Sequence, residues 1–112
     1  MSFQVFLTDD AARDLEDIYD YITEHDVPGK ADDVLDRIET ALASLTHSPE
    51  RGVWPRELSA LGMREFREIF FKPYRINYRI ICRIIGQDVY VMLIADGRRD
   101  MQTLLQRRLL QA

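Results

Sequence analysis

The sequence predicts an α+β fold in which a two-helix hairpin packs on a mainly antiparallel four-stranded sheet. The predicted order is β-α-α-β-β-β, with a short C-terminal helix. Apolar residues recur every three or four positions in the first half of the chain, and from Phe66 onward they alternate with polar residues. Helices followed by strands are typical of two-layer α+β folds. The 112 residues suffice for one hydrophobic core, so we expect a single domain spanning residues 1–112.

The N-terminal segment FQVFLT predicts a short strand that leads into a helix. Thr8 is a suitable N-cap, and Asp9 and Asp10 place negative charge at the positive end of the helix dipole. The apolar stripe of this helix runs to about His25. After the break DVPG, a second helical stripe follows and ends before Pro49. We therefore expect the two helices to form a hairpin.

The acidic side chains of both helices fall off the apolar stripes and are predicted to face solvent. They are Asp14, Asp17, Asp20 and Glu24 on the first helix, and Asp32, Asp33, Asp36 and Glu39 on the second. A metal site needs several carboxylates that converge on one point, and helical spacing alone does not supply that arrangement. We therefore expect no metal ion and no cofactor.

Residues 48–64 contain two of the four prolines and show no sustained period, which predicts a loop between helices and sheet. We interpret Trp54 in this loop as a core plug or a loop anchor. A stacking platform for a nucleobase is the alternative.

Three strands are predicted after the loop, in the stretches FREIFF, YRINYRIICRII and DVYVMLIA. Alternate positions of the middle strand, from Tyr74 to Cys82, are apolar, whereas the intervening positions include Arg75, Arg79 and Arg83. One face of the sheet should therefore be core and the other cationic. If so, replacing Arg75 and Arg79 with alanine should change stability by less than about 1 kcal/mol, as expected of exposed sites.

Hydropathy and cysteine content indicate a cytosolic protein without membrane contact. No apolar run approaches the roughly 20 residues of a membrane helix, and the N-terminus lacks the pattern of a signal peptide. The single cysteine, Cys82, cannot form an intrachain disulfide and lies within an apolar strand pattern, so we expect it to be buried.

The net charge of −4 conceals an asymmetry along the chain. Residues 1–50 carry 13 acidic and 3 basic side chains, whereas residues 51–112 carry 6 acidic and 12 basic ones. All but one of these 12 are arginine, which suits bidentate contacts to phosphate or carboxylate. The C-terminal half can therefore meet a polyanion or an acidic peptide. A solvated charged surface is the alternative.

The C-terminal stretch divides into a turn and a short helix. We predict that Asp96 and Gly97 form the turn and that Asp100 caps the helix. Arg107 and Arg108 are interpreted as last-turn cations that complement the helix dipole.

Three motifs resemble the RelE/ParE superfamily, the small toxins of bacterial type II toxin-antitoxin modules, once often labelled plasmid stabilisation proteins. They are LTDDAARDLEDIYDYI at residues 7–22, PYRINYRI at residues 73–80 and DGRRDMQTLLQRRL at residues 96–109. Their order and spacing are similar to those of the family over essentially the whole chain. The resemblance implies a growth-inhibiting toxin that forms a hetero-oligomer with a cognate antitoxin, whose C-terminal segment wraps the toxin surface.

The resemblance leaves two targets open. RelE-like members cleave messenger RNA in the ribosomal A site, whereas ParE-like members poison DNA gyrase. If this chain is RelE-like, Arg67, Arg75 and Arg99 can be laid on three of the basic positions of that metal-free endoribonuclease.

A convincing catalytic acid or base is missing from the RelE-like positions. Ile69 stands where a lysine is wanted, and Leu105 falls where the C-terminal tyrosine would lie. We interpret His25 and His47 as helix-end residues. Arginine is a poor proton acceptor because its pKa exceeds about 12.

We therefore favour a ParE-like inhibitor of DNA gyrase that is not an enzyme, because the tail RRDMQTLLQRRL resembles ParE-like tails. The residues predicted to contact the target or the antitoxin are Arg67, Arg75, Arg79, Arg83, Arg98 and Arg99. A RelE-like ribosome-dependent endoribonuclease is the alternative, although an acidic chain must overcome repulsion from RNA. A homologue that binds its antitoxin without being toxic is the second alternative.

Overall fold

A computed structural model describes residues 2–110, with the side chains of Arg75 and Leu110 outside the described part. The elements follow in the order β1 (Gln4–Leu7), α1 (Asp9–His25), α2 (Lys30–Ser44), a 3-10 turn (Pro49–Arg51), α3 (Arg56–Ser59), β2 (Phe66–Phe71), a second 3-10 turn (Pro73–Arg75), β3 (Tyr78–Ile85), β4 (Asp88–Asp96), α4 (Met101–Leu105) and a π-helical turn (Gln106–Leu110). The predicted α+β fold and its β-α-α-β-β-β order are confirmed.

The four strands form one sheet in the order β1-β4-β3-β2. β1 runs parallel to β4, and the other two strand pairs are antiparallel. The β1–β4 pairing stops where Leu7 lies opposite Val91. Val91 and Leu93 pair with consecutive residues of β3, so Met92 forms a β-bulge. The last residues of β4 therefore have a strand neighbour on one side only within the described chain.

The helix hairpin covers one face of the sheet, as predicted. The hydroxyl of Thr8 accepts a hydrogen bond of 3.1 Å from the backbone N–H of Ala11, which caps α1. Buried apolar residues of the hairpin meet those of the strands in one cluster. It comprises Ala11, Ile22, Ala31, Val34, Ile38, Leu42 and Leu45 from the helical half, and Ile69, Tyr78, Ile80, Cys82, Val89, Val91 and Ile94 from the sheet.

The opposite face of the sheet is also partly covered, so the prediction of a wholly cationic second face is wrong. Its buried cluster comprises Leu58, Phe66, Ile81, Leu93, Ala95, Met101 and Leu105. Two short helices supply the cover: α3, within the segment predicted to be a loop, and α4 of the tail. The apolar side chains of these two helices are buried against the sheet, because removing apolar surface from water is favourable. Ile81 and Arg79 of β3 are buried beneath them.

The middle strand is shorter than predicted, because β3 begins at Tyr78 rather than Tyr74. Pro73 opens a tight turn, and Tyr74 has a φ of 50°, in the left-handed region that a strand cannot contain. The backbone of Arg75 therefore lies in a turn, and the prediction that Arg75 belongs to the cationic face of this strand is wrong. The side chain of Arg75 lies outside the described part of the structure.

None of the described helices combines the length and the apolar character needed to cross a bilayer.

Candidate functional site

The turn after β4 is fixed at both ends and carries two exposed arginines. Gly97 donates its backbone N–H to the carbonyl of Asn77 over 2.7 Å. A Cβ atom on Gly97 would lie 2.9 Å from that same oxygen, so the close approach requires glycine. On the other side, the Asp100 carboxylate accepts the backbone N–H of Thr103 at 3.2 Å and caps α4, as predicted. Arg98 and Arg99 therefore project from a rigid backbone.

Arg98 is oriented by its neighbour Asp96. Its Nε lies 3.1 Å from both carboxylate oxygens, and one terminal nitrogen lies 2.6 Å from Oδ2. The hydrogen bond lowers the pKa of Asp96 below its usual range. The Arg98 side chain is 74% exposed, and Arg99 is exposed as well. A surface ion pair of this kind contributes at most about 1 kcal/mol, so Arg98 can exchange Asp96 for an external partner.

A cleft of about 400 Å³ opens beside this turn, between the C-terminal half of α1 and the end of β4. Its wall includes Tyr21 and His25, whose rings stack with centroids 4.3 Å apart. Lys30, Arg98 and Arg99 stand at its border. The lining also contains the carboxylates of Asp14, Asp17, Asp26 and Asp96, three of which form ion pairs with Arg108, Lys30 and Arg98. The cleft therefore combines aromatic surface with charges of both signs, and a partner that fits it needs apolar groups with acidic groups placed at the cations.

Sequence reasoning missed the aromatic residues of this cleft. Tyr21 and His25 are four positions apart on one helix, a spacing that places them on the same face, but their sheet partners lie about 70 residues away in the sequence. His25 donates a hydrogen bond of 2.9 Å from its Nδ1–H to the carbonyl oxygen of Tyr21. This bond leaves Nε2 available for another contact.

Tyr74 joins the turn before β3 to the second helix. Its hydroxyl donates to the Asp33 carboxylate over 2.5 Å, which raises the pKa of Tyr74 and lowers that of Asp33. Lys30 Nζ lies 4.9 Å from the centre of the Tyr74 ring, and the Arg37 guanidinium carbon lies 5.4 Å from it. These contacts hold a strained backbone residue at the border of the cleft.

Arg79 is not on an exposed cationic surface, so this part of the prediction is wrong. Its side chain is 6% exposed and binds Glu57 of α3 through two hydrogen bonds, of 2.8 and 2.7 Å. Its Nε also bonds to Glu68 of β2. The Arg79 bonds hold the pKa of Glu57 at about 2, whereas burial raises the pKa of Glu68. Arg79 therefore joins three elements of the fold.

Arg67, another of the predicted arginines, lies against Trp54. This tryptophan is 40% exposed, so the interpretation as a core plug is wrong. The guanidinium carbons of Arg64 and Arg67 lie 4.6 and 5.1 Å from the centre of its ring. Arg83 lines one surface depression together with Arg64 and Arg67. One of its terminal nitrogens lies 3.8 Å from the carboxylate of Glu65.

Two of the predicted nuclease residues, Arg67 and Arg99, lie far apart in the described part of the structure. Arg67 lies opposite Cys82 on β3, whereas Asp96, next to the arginine pair, lies opposite Tyr78. Four residues of strand correspond to about 13 Å, and β2 and β4 are on opposite sides of β3. The positions wanted for lysine and tyrosine hold the buried side chains of Ile69 and Leu105.

Asp14 and Arg108 attach the C-terminal segment to the side of β4 that has no strand neighbour. Asp14 accepts hydrogen bonds from the backbone N–H of Ile94, at 3.0 Å, and from two nitrogens of Arg108, at 2.9 and 3.0 Å. Arg108 also donates to the carbonyl of Met92 over 3.1 Å. The prediction that Asp14 faces solvent is therefore wrong, because the carboxylate replaces a missing strand.

No cluster of three or more potential metal-ligating side chains occurs among residues 2–110. The fold can be compared with those of known proteins. The structure is similar to one titled "Chromosomal ParDE TA system from P. aeruginosa", with a TM-score of 0.68 and 20% identity over 85% of this chain and 96% of that chain. It is also similar to the E. coli toxin RelE in the free state, a mutant with two arginines replaced by alanine, with a TM-score of 0.63 and 16% identity over 97% and 100%.

The family comparison is more specific than the fold comparison. The pattern described as the ParE toxin of the type II toxin-antitoxin system, parDE, matches residues 5–101. No curated protein sequence gives a significant match. Because the matched segment is most of the chain, this protein belongs to the ParE toxin family. The resemblance to the RelE/ParE superfamily is thereby confirmed, and the chain is a toxin of the type II toxin-antitoxin class.

Proposed function

We propose that this toxin binds and inhibits DNA gyrase through the turn that carries Arg98 and Arg99. The observation that carries the proposal is the geometry of this turn, which is held at Gly97 and at Asp100 while both arginine side chains are exposed. Rigid presentation lowers the entropy lost on binding. Exposed arginines beside an aromatic cleft are the residue types that dominate protein interfaces.

We also propose that a cognate antitoxin neutralises the toxin by covering the same turn and the adjoining cleft. The cleft supplies apolar surface from Ile18 and Tyr21, and cations from Lys30, Arg98 and Arg99. A segment with acidic and apolar side chains would complement both. If the antitoxin covers Arg98 and Arg99, it excludes the target directly, and the two proteins form a hetero-oligomer.

The gyrase proposal is tested with Arg98→Ala and Arg99→Ala, using Arg107→Ala as the matched control. Arg107 is exposed and belongs to the same C-terminal segment. Purified variants are added to gyrase in a plasmid supercoiling assay. We expect the inhibitory concentration to rise about tenfold or more for the first two variants, as for loss of a good interface arginine, and to stay unchanged for the control. Equal inhibition by all variants, with unchanged thermal stability, would contradict the role of this turn.

One observation favours the RelE-like alternative, in which the protein cleaves messenger RNA on the ribosome. His25 lines the same cleft as Arg98 and Arg99, so an imidazole and two guanidinium groups of the kind that binds phosphate occur in one depression. Expression of the wild-type toxin distinguishes the alternatives. Codon-phased transcript cleavage that His25→Asn abolishes would support the endoribonuclease, whereas DNA breaks with intact transcripts support gyrase. Absence of growth arrest would identify the non-toxic homologue.

A further inference from the structure

A second surface lies at the other end of the sheet and has no part in the proposed function. We call it the Trp54 patch, and it consists of Trp54, Arg64, Arg67 and Arg83. Arg83 lies five residues along β3 from Tyr78, which corresponds to about 17 Å of strand. The Trp54 patch is therefore separate from the turn that carries the exposed arginine pair.

Trp54 positions two of the three guanidinium groups of this patch, those of Arg64 and Arg67. The carbon of the Arg64 guanidinium lies 4.6 Å from the centre of the indole ring, and that of Arg67 lies 5.1 Å from it. A cation over an indole ring is attracted by the negative face of the π-system. Such stacking limits the rotamers of a long side chain and presents its N–H donors in a fixed direction. The solvent-exposed part of the ring remains available to a ligand.

The loop that carries Trp54 is fixed to the edge of the sheet. Val53 and Glu68 exchange two backbone hydrogen bonds, of 3.0 and 2.7 Å. A terminal nitrogen of Arg67 donates to the carbonyl of Gly52 over 3.2 Å. Gly52 packs so closely that a Cβ atom there would lie 2.9 Å from the carbonyl oxygen of Glu68. Trp54 is thus held on a rigid backbone, and a ligand would lose little entropy by ordering it.

We propose that the Trp54 patch binds single-stranded nucleic acid. Arginine forks bind phosphate in a bidentate manner, and exposed bases stack on aromatic rings and on guanidinium planes. A depression of about 580 Å³ is lined by Arg64, Arg67 and Arg83 together with Glu50 and Glu65. Trp54 does not line it but adjoins it through its contacts with Arg64 and Arg67. An acidic peptide would use the arginines but has no group that needs the exposed indole face. A nucleic acid strand uses both.

Glu50 and Glu65 line the same depression and repel phosphate, so we expect weak binding that involves few phosphates. Three arginines that each contact one phosphate of a single strand give a slope of about −2 for the logarithm of affinity against the logarithm of salt concentration. Because Trp54 is the only tryptophan of the chain, stacking of a base on it will quench the intrinsic fluorescence of the protein. Binding and its location can therefore be read from one signal.

The experiment titrates the full-length toxin at low salt with 12-nucleotide oligo(U) and oligo(dT), each carrying a fluorescent label for anisotropy. The variants are Arg64→Gln, Arg83→Gln and Trp54→Phe, and the control is Arg13→Gln, which removes the same charge from a side chain that is 68% exposed on α1. We expect quenching of Trp54, about tenfold weaker binding for Trp54→Phe, a smaller salt slope for Arg64→Gln, and wild-type binding for Arg13→Gln. A preference for oligo(U) would identify contacts to the 2′-hydroxyl, and equal binding would identify contacts to bases and phosphates alone. Both results support the binding of single-stranded nucleic acid at the Trp54 patch.

Three results would overturn the proposal: no quenching, equal weakening by Arg13→Gln and Arg64→Gln, or competition by poly-glutamate as efficient as that by unlabelled oligonucleotide. The last result would identify an acidic protein as the partner. The variant Arg98→Ala should retain oligonucleotide binding, so failure of the gyrase proposal and failure of this one are distinguishable. Thermal unfolding of each variant verifies that folding is intact, and the exposed Arg64 keeps the test valid if Trp54→Phe is unstable.

Discussion

Arg79 is held by Glu57 through two hydrogen bonds of 2.8 and 2.7 Å, although one residue lies on β3 and the other on α3. With the additional bond to Glu68 on β2, this guanidinium connects three elements on the face of the sheet that the hairpin does not cover. Removing one member of such a buried group leaves uncompensated charge, which costs about 3–5 kcal/mol.

Replacement of Arg79 with methionine should therefore destabilise the protein by about 3–5 kcal/mol, because the buried Glu68 and the partly buried Glu57 would lose their partner. Arg83→Met is the matched control, since it removes a half-exposed arginine from the same strand and should change stability by no more than about 0.5 kcal/mol. Urea unfolding of both variants measures the difference. If Arg79→Met lost less than 1 kcal/mol, the ion-pair group would contribute little to the fold.

Acid should weaken the protein partly through Glu57. Arg79 holds the pKa of Glu57 at about 2, below its ordinary value of 4.5. The folded state therefore binds this proton less readily than the unfolded state, and the resulting stability is present above about pH 5 and is lost as the pH falls toward 2. The full shift corresponds to about 3 kcal/mol. Burial raises the pKa of Glu68, so the contribution of Glu68 to stability changes with pH in the opposite direction.

Glu57→Gln should accordingly have a flatter stability curve than the wild type between pH 5 and pH 2, while being less stable at pH 7. Urea titrations at three or four pH values in this range are sufficient. Parallel curves for the two proteins would mean that other carboxylates control acid unfolding.

Asp14 should determine whether the C-terminal segment stays attached. Asp14→Ala leaves the backbone N–H of Ile94 without an acceptor, a loss of about 1–3 kcal/mol for a buried unsatisfied group. It also leaves the Arg108 guanidinium with the Met92 carbonyl as its remaining hydrogen-bond acceptor. Hydrogen exchange should increase in residues 92–94 and in Gln106–Leu110. Asp20→Ala is the control, because Asp20 is exposed on the same helix. Equal protection in both variants would contradict the attachment.

Cys82 should be unreactive in the folded protein. It is completely buried, and burial raises its pKa to about 11, so neither access nor thiolate is available near neutral pH. A thiol reagent such as a disulfide dye should label it at a rate that rises with urea as the protein unfolds. Fast labelling without denaturant would indicate local opening between β2 and β4.

The fold was predictable because its signals are local. The N-cap at Thr8 and the two apolar stripes are visible within a few residues, and both are confirmed. The strands are confirmed as elements, but their simple alternation is not, because Tyr78–Cys82 of β3 are buried on both faces of the sheet. The turn at Tyr74 was not recognised, since the chain Tyr74–Ile76–Tyr78 also fits a strand and only the preceding Pro73 signals the interruption.

The sites were less predictable because they depend on distant pairings. Arg79 and Arg83 both lie at polar positions of the alternating pattern in β3. Arg79 is nevertheless buried, because α3 packs over it and places Glu57, 22 residues away in the sequence, in contact with its guanidinium. Nothing near Asp14 indicates that Arg108 and Ile94 will share its carboxylate. By contrast, the turn of Arg98 and Arg99 rests on a local Asp-Gly and an N-cap, and its description from sequence agrees with the structure.

Gln4 and Asp88 face each other in the parallel strand pair, although 84 residues separate them in the chain. At a synthesis rate of about 5–20 residues per second, the first strand waits about 4–17 s for its partner. Until then, the hairpin lacks the part of its core that β4 supplies through Val89, Val91 and Ile94. The fold is therefore completed only near the end of translation, after residues 88–96 have been made.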